Sequence, residues 1–111
     1  MKLTTLAFIV LLLSGCTSNK GLYDWKNYSE TLYNYKKEPN NEKRTIHIKE
    51  INSIISEAEK KHKAVPPGLY AELAFYLLAD GNKEGAIKNL ELEKSHYPES
   101  TAFVNNLMRT L

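Results

Sequence analysis

The 111-residue chain holds a single cysteine, Cys16. No intramolecular disulfide can form, so the fold has to hold by packing alone. Aspartate is almost missing: Asp24 and Asp80 are the only two, and both fall where helix ends are expected, which suits capping. The three histidines, His47, His62 and His96, lie far apart without a His-x-x-x-His spacing or a neighbouring acidic ligand pattern, so no metal site is expected and surface or cap roles suit them. Glycine-rich phosphate loops and serine-nucleophile motifs are absent. With a formal charge of +2, nothing suggests a nucleic-acid binder, whose basic residues would cluster strongly on one face. The one long apolar run, Leu6 to Leu13, is too short to span a bilayer.

That run is informative by its position. Lys2 precedes it and Leu13-Ser14-Gly15-Cys16 follows, the order of a cationic start, an apolar stretch and small residues that marks a secretory signal. Leu-Ser-Gly-Cys resembles the lipobox at which bacterial lipoproteins are acylated and cleaved. The resemblance implies that residues 1–15 are removed and that Cys16 carries a covalent diacylglyceryl and N-acyl lipid as the first mature residue. The competing reading is a plain signal peptide cut elsewhere, which would leave a free thiol. Residues 16–21 then form the acylated cysteine and a short tether, and residues 22–111 the domain. Five tether residues reach less than about 20 Å, which holds the domain against the headgroups. By resemblance to enterobacterial sorting, Thr17 in place of an aspartate favours the outer membrane, with the domain periplasmic or surface-exposed.

Proline and glycine divide the remainder into helices. Trp25, Tyr28, Leu32 and Tyr35 are spaced as one stripe of a helix over about 22–37, ended by Glu38-Pro39-Asn40-Asn41. Ile51, Ile54, Ile55 and Ala58 repeat as an amphipathic face in a second helix, about 42–63, with Glu57/Lys61 and Glu59/Lys63 as outer pairs. Thr45 to Ile48 alternates like a strand, but no second strand is visible to pair with it. After Val65-Pro66-Pro67-Gly68 a nearly all-apolar helix, 69–80, should be central, with Gly81 closing it and Asn82 capping the next. That next helix, about 83–97, buries Ala86, Ile87, Leu90 and Tyr97. A last segment, 99–111, presents Phe103, Val104, Leu107, Met108 and Leu111 along one side as a terminal cap.

The predicted fold is all-α. The stretch from Pro67 to Ser100 resembles a tetratricopeptide repeat, with Tyr70, Leu73, Ala74, Leu77, Ala86, Leu90 and Pro98 at the signature positions; Leu77 and Leu90 stand where aromatics are usual, and Glu93 where a second alanine often packs. Trp25-Tyr28-Ser29-Leu32 resembles the opening of another unit, but Trp25 lies 45 residues before Tyr70, longer than the period of about 34. The expectation is antiparallel helix pairs of tetratricopeptide-like type with a C-terminal capping helix.

A second resemblance covers the whole chain. The lipobox, Tyr23-Asp24-Trp25 with Tyr28, the Val65-Pro66-Pro67-Gly68 turn, Gly81, Glu93-Lys94 and Tyr97-Pro98-Glu99-Ser100 are similar to a family of small bacterial lipoproteins recorded as a domain of unknown function. Such lipoproteins are often encoded beside one similar to the curli secretion channel. The resemblance implies a subunit of a cell-envelope assembly, with another envelope lipoprotein or secretion-channel-like protein as partner, and it carries no active site.

Tyr23, Trp25, Tyr28, Tyr33 and Tyr35 are the candidate partner-binding residues, because these rings offer much apolar area with a polar tip at low entropic cost. The competing reading makes Trp25, Tyr28 and Tyr35 the core stripe of the first helix. Lys60-Lys61-His62-Lys63 could touch anionic headgroups, against the simpler role of complementing a helix C-terminus. No catalytic residue, metal, cofactor beyond the lipid or small-molecule substrate is selected. Three functional classes stay in view: a membrane-anchored, non-catalytic interaction module; a small lipoprotein of exclusion or lysis type acting through its anchor; and a cell-wall hydrolase, which no residue pattern supports.

Overall fold

The computed structural model describes residues 21–111; the signal segment, Cys16 and residues 17–20 of the tether lie outside the described residues. The described chain is all-helical: α1 Tyr28–Lys37, α2 Asn41–Lys60, α3 Leu69–Ala79, α4 Lys83–His96 and α5 Thr101–Arg109, with a 3-10 turn at Pro98–Ser100 before α5. The helices pack as an α1–α2 pair, an α3–α4 pair and a terminal α5 against α4. This arrangement is compatible with tetratricopeptide-like pairing.

Side chains set the helix ends. Asn40 accepts the Lys43 N–H at 2.8 Å to start α2, and Asn82 accepts the Gly85 N–H at 2.8 Å to start α4. At the end of α3 the Gly81 N–H bonds the Leu78 carbonyl at 3.0 Å and the Asn82 N–H the Leu77 carbonyl at 2.8 Å, with Gly81 at φ +81°. This is the left-handed closure that glycine makes at least cost.

α3 is central because it is apolar on most sides and serves two cores. Towards α2 it joins Leu69, Tyr70 and Leu73 to Ile51, Ile54, Ile55, Ala58 and Val65. On its other side Ala71 and Ala74 meet Ala86 and Leu90 of α4 and Val104 of α5. Alanines at three of these positions let the α3 and α4 backbones approach closely.

Several expectations shift. α1 starts at Tyr28 rather than near residue 22, because Leu22 to Asn27 form bends and turns. Thr45 to Ile48 is helical, as the missing partner strand requires. Glu57 and Lys61 pair at 3.6 Å, but α2 ends at Lys60, and Glu59 instead accepts the Tyr70 hydroxyl at 3.1 Å. On α5 only Val104 is buried, while Phe103 is 51% exposed and turns away from the core.

Candidate functional site

The most organised polar feature is a partly buried chain of side chains between α1, α2 and α3. His47 of α2 is fully buried. Its Nδ1 lies 2.7 Å from Thr31 Oγ1 of α1, and its Nε2 lies 2.8 Å from Glu72 Oε1 of α3. Tyr28 donates its hydroxyl to Glu72 Oε2 at 2.5 Å, and Tyr76 reaches Oε1 at 3.5 Å. Burial pushes the Tyr28 hydroxyl pKa well up, and the Glu72 carboxylate beside it adds to the rise. Tyr76 is pushed up to about 12, first by burial and then by the Glu72 charge.

His47 therefore corrects the surface or cap role expected of it. Its position carries the reason: His47, Ile51, Ile54 and Ala58 share one stripe of α2, and the stripe faces the core. Thr31 lies between the aromatic positions of α1, where no spacing singles it out, although it is the buried residue of that helix. Glu72, the polar interruption of an apolar helix, could have been found by that contrast alone.

Threonine, imidazole and carboxylate in series repeat the order of a nucleophile, a base and an orienting acid. The surroundings do not repeat it. Thr31 Oγ1 also lies 3.1 Å from the Tyr28 carbonyl, and Thr31 is 9% exposed, so the hydroxyl is largely covered. The recesses lined by Asp24, Lys26, Ile54, Glu57, Lys61 and Lys63, or by Gly21, Tyr23, Asp24 and Lys63, are elsewhere. The chain of hydrogen bonds ties three helices together.

Arg44 adds an outer tie across α2 and α3. Its guanidinium pairs with Asp80 at 2.9 Å, donates to the Tyr76 carbonyl at 3.3 Å and lies 5.2 Å from the Tyr76 ring centroid. Asp80 thus holds an arginine rather than acting as a side-chain cap. Asp24 does organise a turn, accepting the Lys26 N–H at 3.1 Å.

A second buried carboxylate is Glu93 of α4, 3% exposed. One oxygen accepts the Gly68 N–H at 2.7 Å, while Oε2 has no hydrogen-bond partner among the described residues. Gly68 stands at the N-terminus of α3, so the positive end of that helix offsets part of the cost of burying the charge. The position where a repeat commonly packs alanine is here a cap supplied by a neighbouring helix.

The five aromatic candidates do not form one cluster. Trp25 packs on Tyr28 at 5.2 Å between ring centroids, and Tyr28 continues to His47 at 5.1 Å. Tyr35 meets Tyr76 edge-on at 6.4 Å. Tyr23 lies beside Tyr97, whose hydroxyl donates to the Val65 carbonyl at 2.5 Å. Tyr33 is the most exposed of the five at 64%, and Trp25 is 38% exposed. Further exposed rings stand on α3 and α5, at Phe75 (48%) and Phe103 (51%).

Among the described residues no group of three or more His, Cys, Asp or Glu could hold a metal ion, and no helix is long and apolar enough to cross a membrane. No curated protein and no solved structure matches the chain. One family does: a domain of unknown function, DUF4810, matches residues 22–107, from the turn before α1 to the second half of α5. That match takes in more than three quarters of the chain and both cores, and the protein belongs to the DUF4810 family.

Proposed function

We propose that this chain is a bacterial outer-membrane lipoprotein, anchored by acylated Cys16, whose helical domain is a non-catalytic interaction module within a cell-envelope assembly. The observation that carries the reading is Leu13-Ser14-Gly15-Cys16 at the end of a short apolar run, only five residues before the domain begins. Its buried polar groups support the non-catalytic part, because they link helices and do not line a cleft. Exposed Tyr33, Phe75 and Phe103, one on each of α1, α3 and α5, supply ring surface of the kind that protein partners cover. The partner in this reading is another envelope lipoprotein or a protein similar to the curli secretion channel.

Two measurements test it. Labelled palmitate should enter the wild-type protein and not Cys16→Ala; incorporation that survives the change contradicts the anchor. Mild crosslinking of membranes should recover the protein with an envelope partner, and Phe75→Ser with Phe103→Ser should weaken that recovery while leaving the fold intact. Recovery of the protein alone under every crosslinking condition would sink the module.

A further inference from the structure

The sequence separates Gly21, Tyr23 and Asp24 from Lys61 and Lys63 by more than thirty residues, and the fold brings them together, with Leu22 and Trp25 flanking them in the chain. Lys26 bridges α2, donating to Ser53 at 3.0 Å and to Glu57 at 2.7 Å, and the Asn27 N–H bonds Glu50 at 3.1 Å. These bonds lay residues 21–27 across the C-terminal half of α2. Lys63 then lines one recess with Gly21, Tyr23 and Asp24, and joins Lys61 and Lys26 along another.

This end combines apolar and cationic groups. Leu22 is 75% exposed and Trp25 38%. Of the nearby carboxylates, Glu57 is shared by Lys26 and Lys61, Glu59 takes the Tyr70 hydroxyl, and Asp24 is held by the Lys26 backbone. Lys60 and Lys63 are exposed and have no carboxylate partner among the described residues. Gly21, where the described chain begins, belongs to this same end.

We propose that this end is a second membrane contact: Leu22 and Trp25 enter the headgroup–acyl boundary, and Lys60, Lys61 and Lys63 meet anionic phospholipid headgroups. The proposal rests on the reading of Cys16 as acylated. An aromatic ring beside lysines is the chemistry that settles at a membrane interface, the ring at headgroup depth and the ammonium groups reaching phosphate. A tether under about 20 Å makes the contact intramolecular, so a patch too weak to recruit the domain from solution suffices to orient it.

Trp25 is the chain's single tryptophan and reports on its own surroundings. The acylated protein is placed in phosphatidylcholine vesicles with or without about 30% brominated phosphatidylglycerol, an anionic fraction at which basic juxtamembrane residues are attracted. Matched zwitterionic vesicles carry brominated phosphatidylcholine, and mass spectrometry verifies the lipid on Cys16. The expected result is at least about twofold stronger bromine quenching of Trp25 in the anionic vesicles, a difference removed by Lys60→Gln, Lys61→Gln and Lys63→Gln together with helix content unchanged. Equal quenching in both vesicles on a verified anchor overturns the contact and leaves the anchor standing. Shielding of Trp25 from acrylamide in native membranes but not in anionic vesicles also overturns it, in favour of a protein cover. If Cys16 proves unmodified, the anchor reading fails, and the tethered contact that rests on it fails with it.

Discussion

His47 on α2 and Glu72 on α3 are joined by a 2.8 Å hydrogen bond from Nε2 to Oε1, with the imidazole fully buried and its other nitrogen on Thr31. A ring so placed has both polar atoms committed. Glu72, as a carboxylate, only accepts, so Nε2 carries the proton. One side chain thereby links the three helices α1, α2 and α3.

Replacing that side chain should cost more than an ordinary polar change. His47→Ala opens a cavity and strips a partner from both Thr31 and Glu72, a loss of about 2–4 kcal/mol. Thr31→Val keeps the volume and removes one hydroxyl, for about 1 kcal/mol. Urea unfolding should show the midpoint falling in that order with the slope unchanged. Equal midpoints for His47→Ala and wild type would contradict the tie.

The fold class could be read from spacing because burial of an apolar stripe is a periodic requirement. Ile51, Ile54, Ile55 and Ala58 are all buried, as are Leu69, Tyr70, Leu73, Ala86 and Leu90. The polar centre was harder to read, since a histidine on a core stripe and a glutamate in an apolar helix each look like exceptions until their partners are known. Thr31, His47 and Glu72 come from three helices and meet only through the fold. The chain entry differs for a backbone reason: Trp25 and Tyr28 are spaced for a helix, yet Lys26 stands at φ +44° with its N–H on Asp24 and the Asn27 N–H is taken by Glu50, so α1 starts at Tyr28.

Alkaline conditions should loosen the protein. Tyr70 and Tyr76 are both raised from 10.0 to about 12, chiefly by burial, with Glu59 acting next on Tyr70 and Glu72 on Tyr76. Tyr28 is raised further. In each case the folded state favours the neutral phenol, so the stabilisation is whole below pH 10 and declines as pH rises from there through the folded-state values. Urea midpoints at pH 11 should therefore lie below those at pH 9, and absorbance at about 295 nm should show these rings ionising late in the folded protein and early in urea. Equal midpoints at the two pH values would contradict the assignment.

Glu93 offers a sharper contrast between size and charge. Glu93→Ala leaves the Gly68 N–H without its acceptor and a void between α3 and α4, which should cost about 2 kcal/mol or more. Glu93→Gln keeps an oxygen for Gly68 and removes the buried charge, while giving up the attraction to the α3 N-terminus. These terms oppose, so the change should stay within about 1 kcal/mol. Amide exchange at Gly68 decides between a cap and mere filling: it should speed up in the alanine variant and stay slow in the glutamine one.

The end of α2 repeats the closure seen after α3 with a less suitable residue. The His62 N–H bonds the Glu59 carbonyl at 3.2 Å and the Lys63 N–H the Ala58 carbonyl at 2.8 Å, with His62 at φ +52° where Gly81 serves the other helix. A side chain in the left-handed region crowds its own carbonyl, and glycine removes that strain while losing more chain entropy on folding. The balance favours His62→Gly by about 0.5 kcal/mol. Gly81→Ala runs the opposite way and should cost about 1 kcal/mol, since no atom lies within 4 Å of an added Cβ and the penalty is conformational alone. For a domain of this size the two changes should move the thermal midpoint in opposite directions, up by about 2–4 °C and down by about 4–8 °C. A fall in midpoint for His62→Gly would mean that the imidazole makes a contact worth more than the strain it bears.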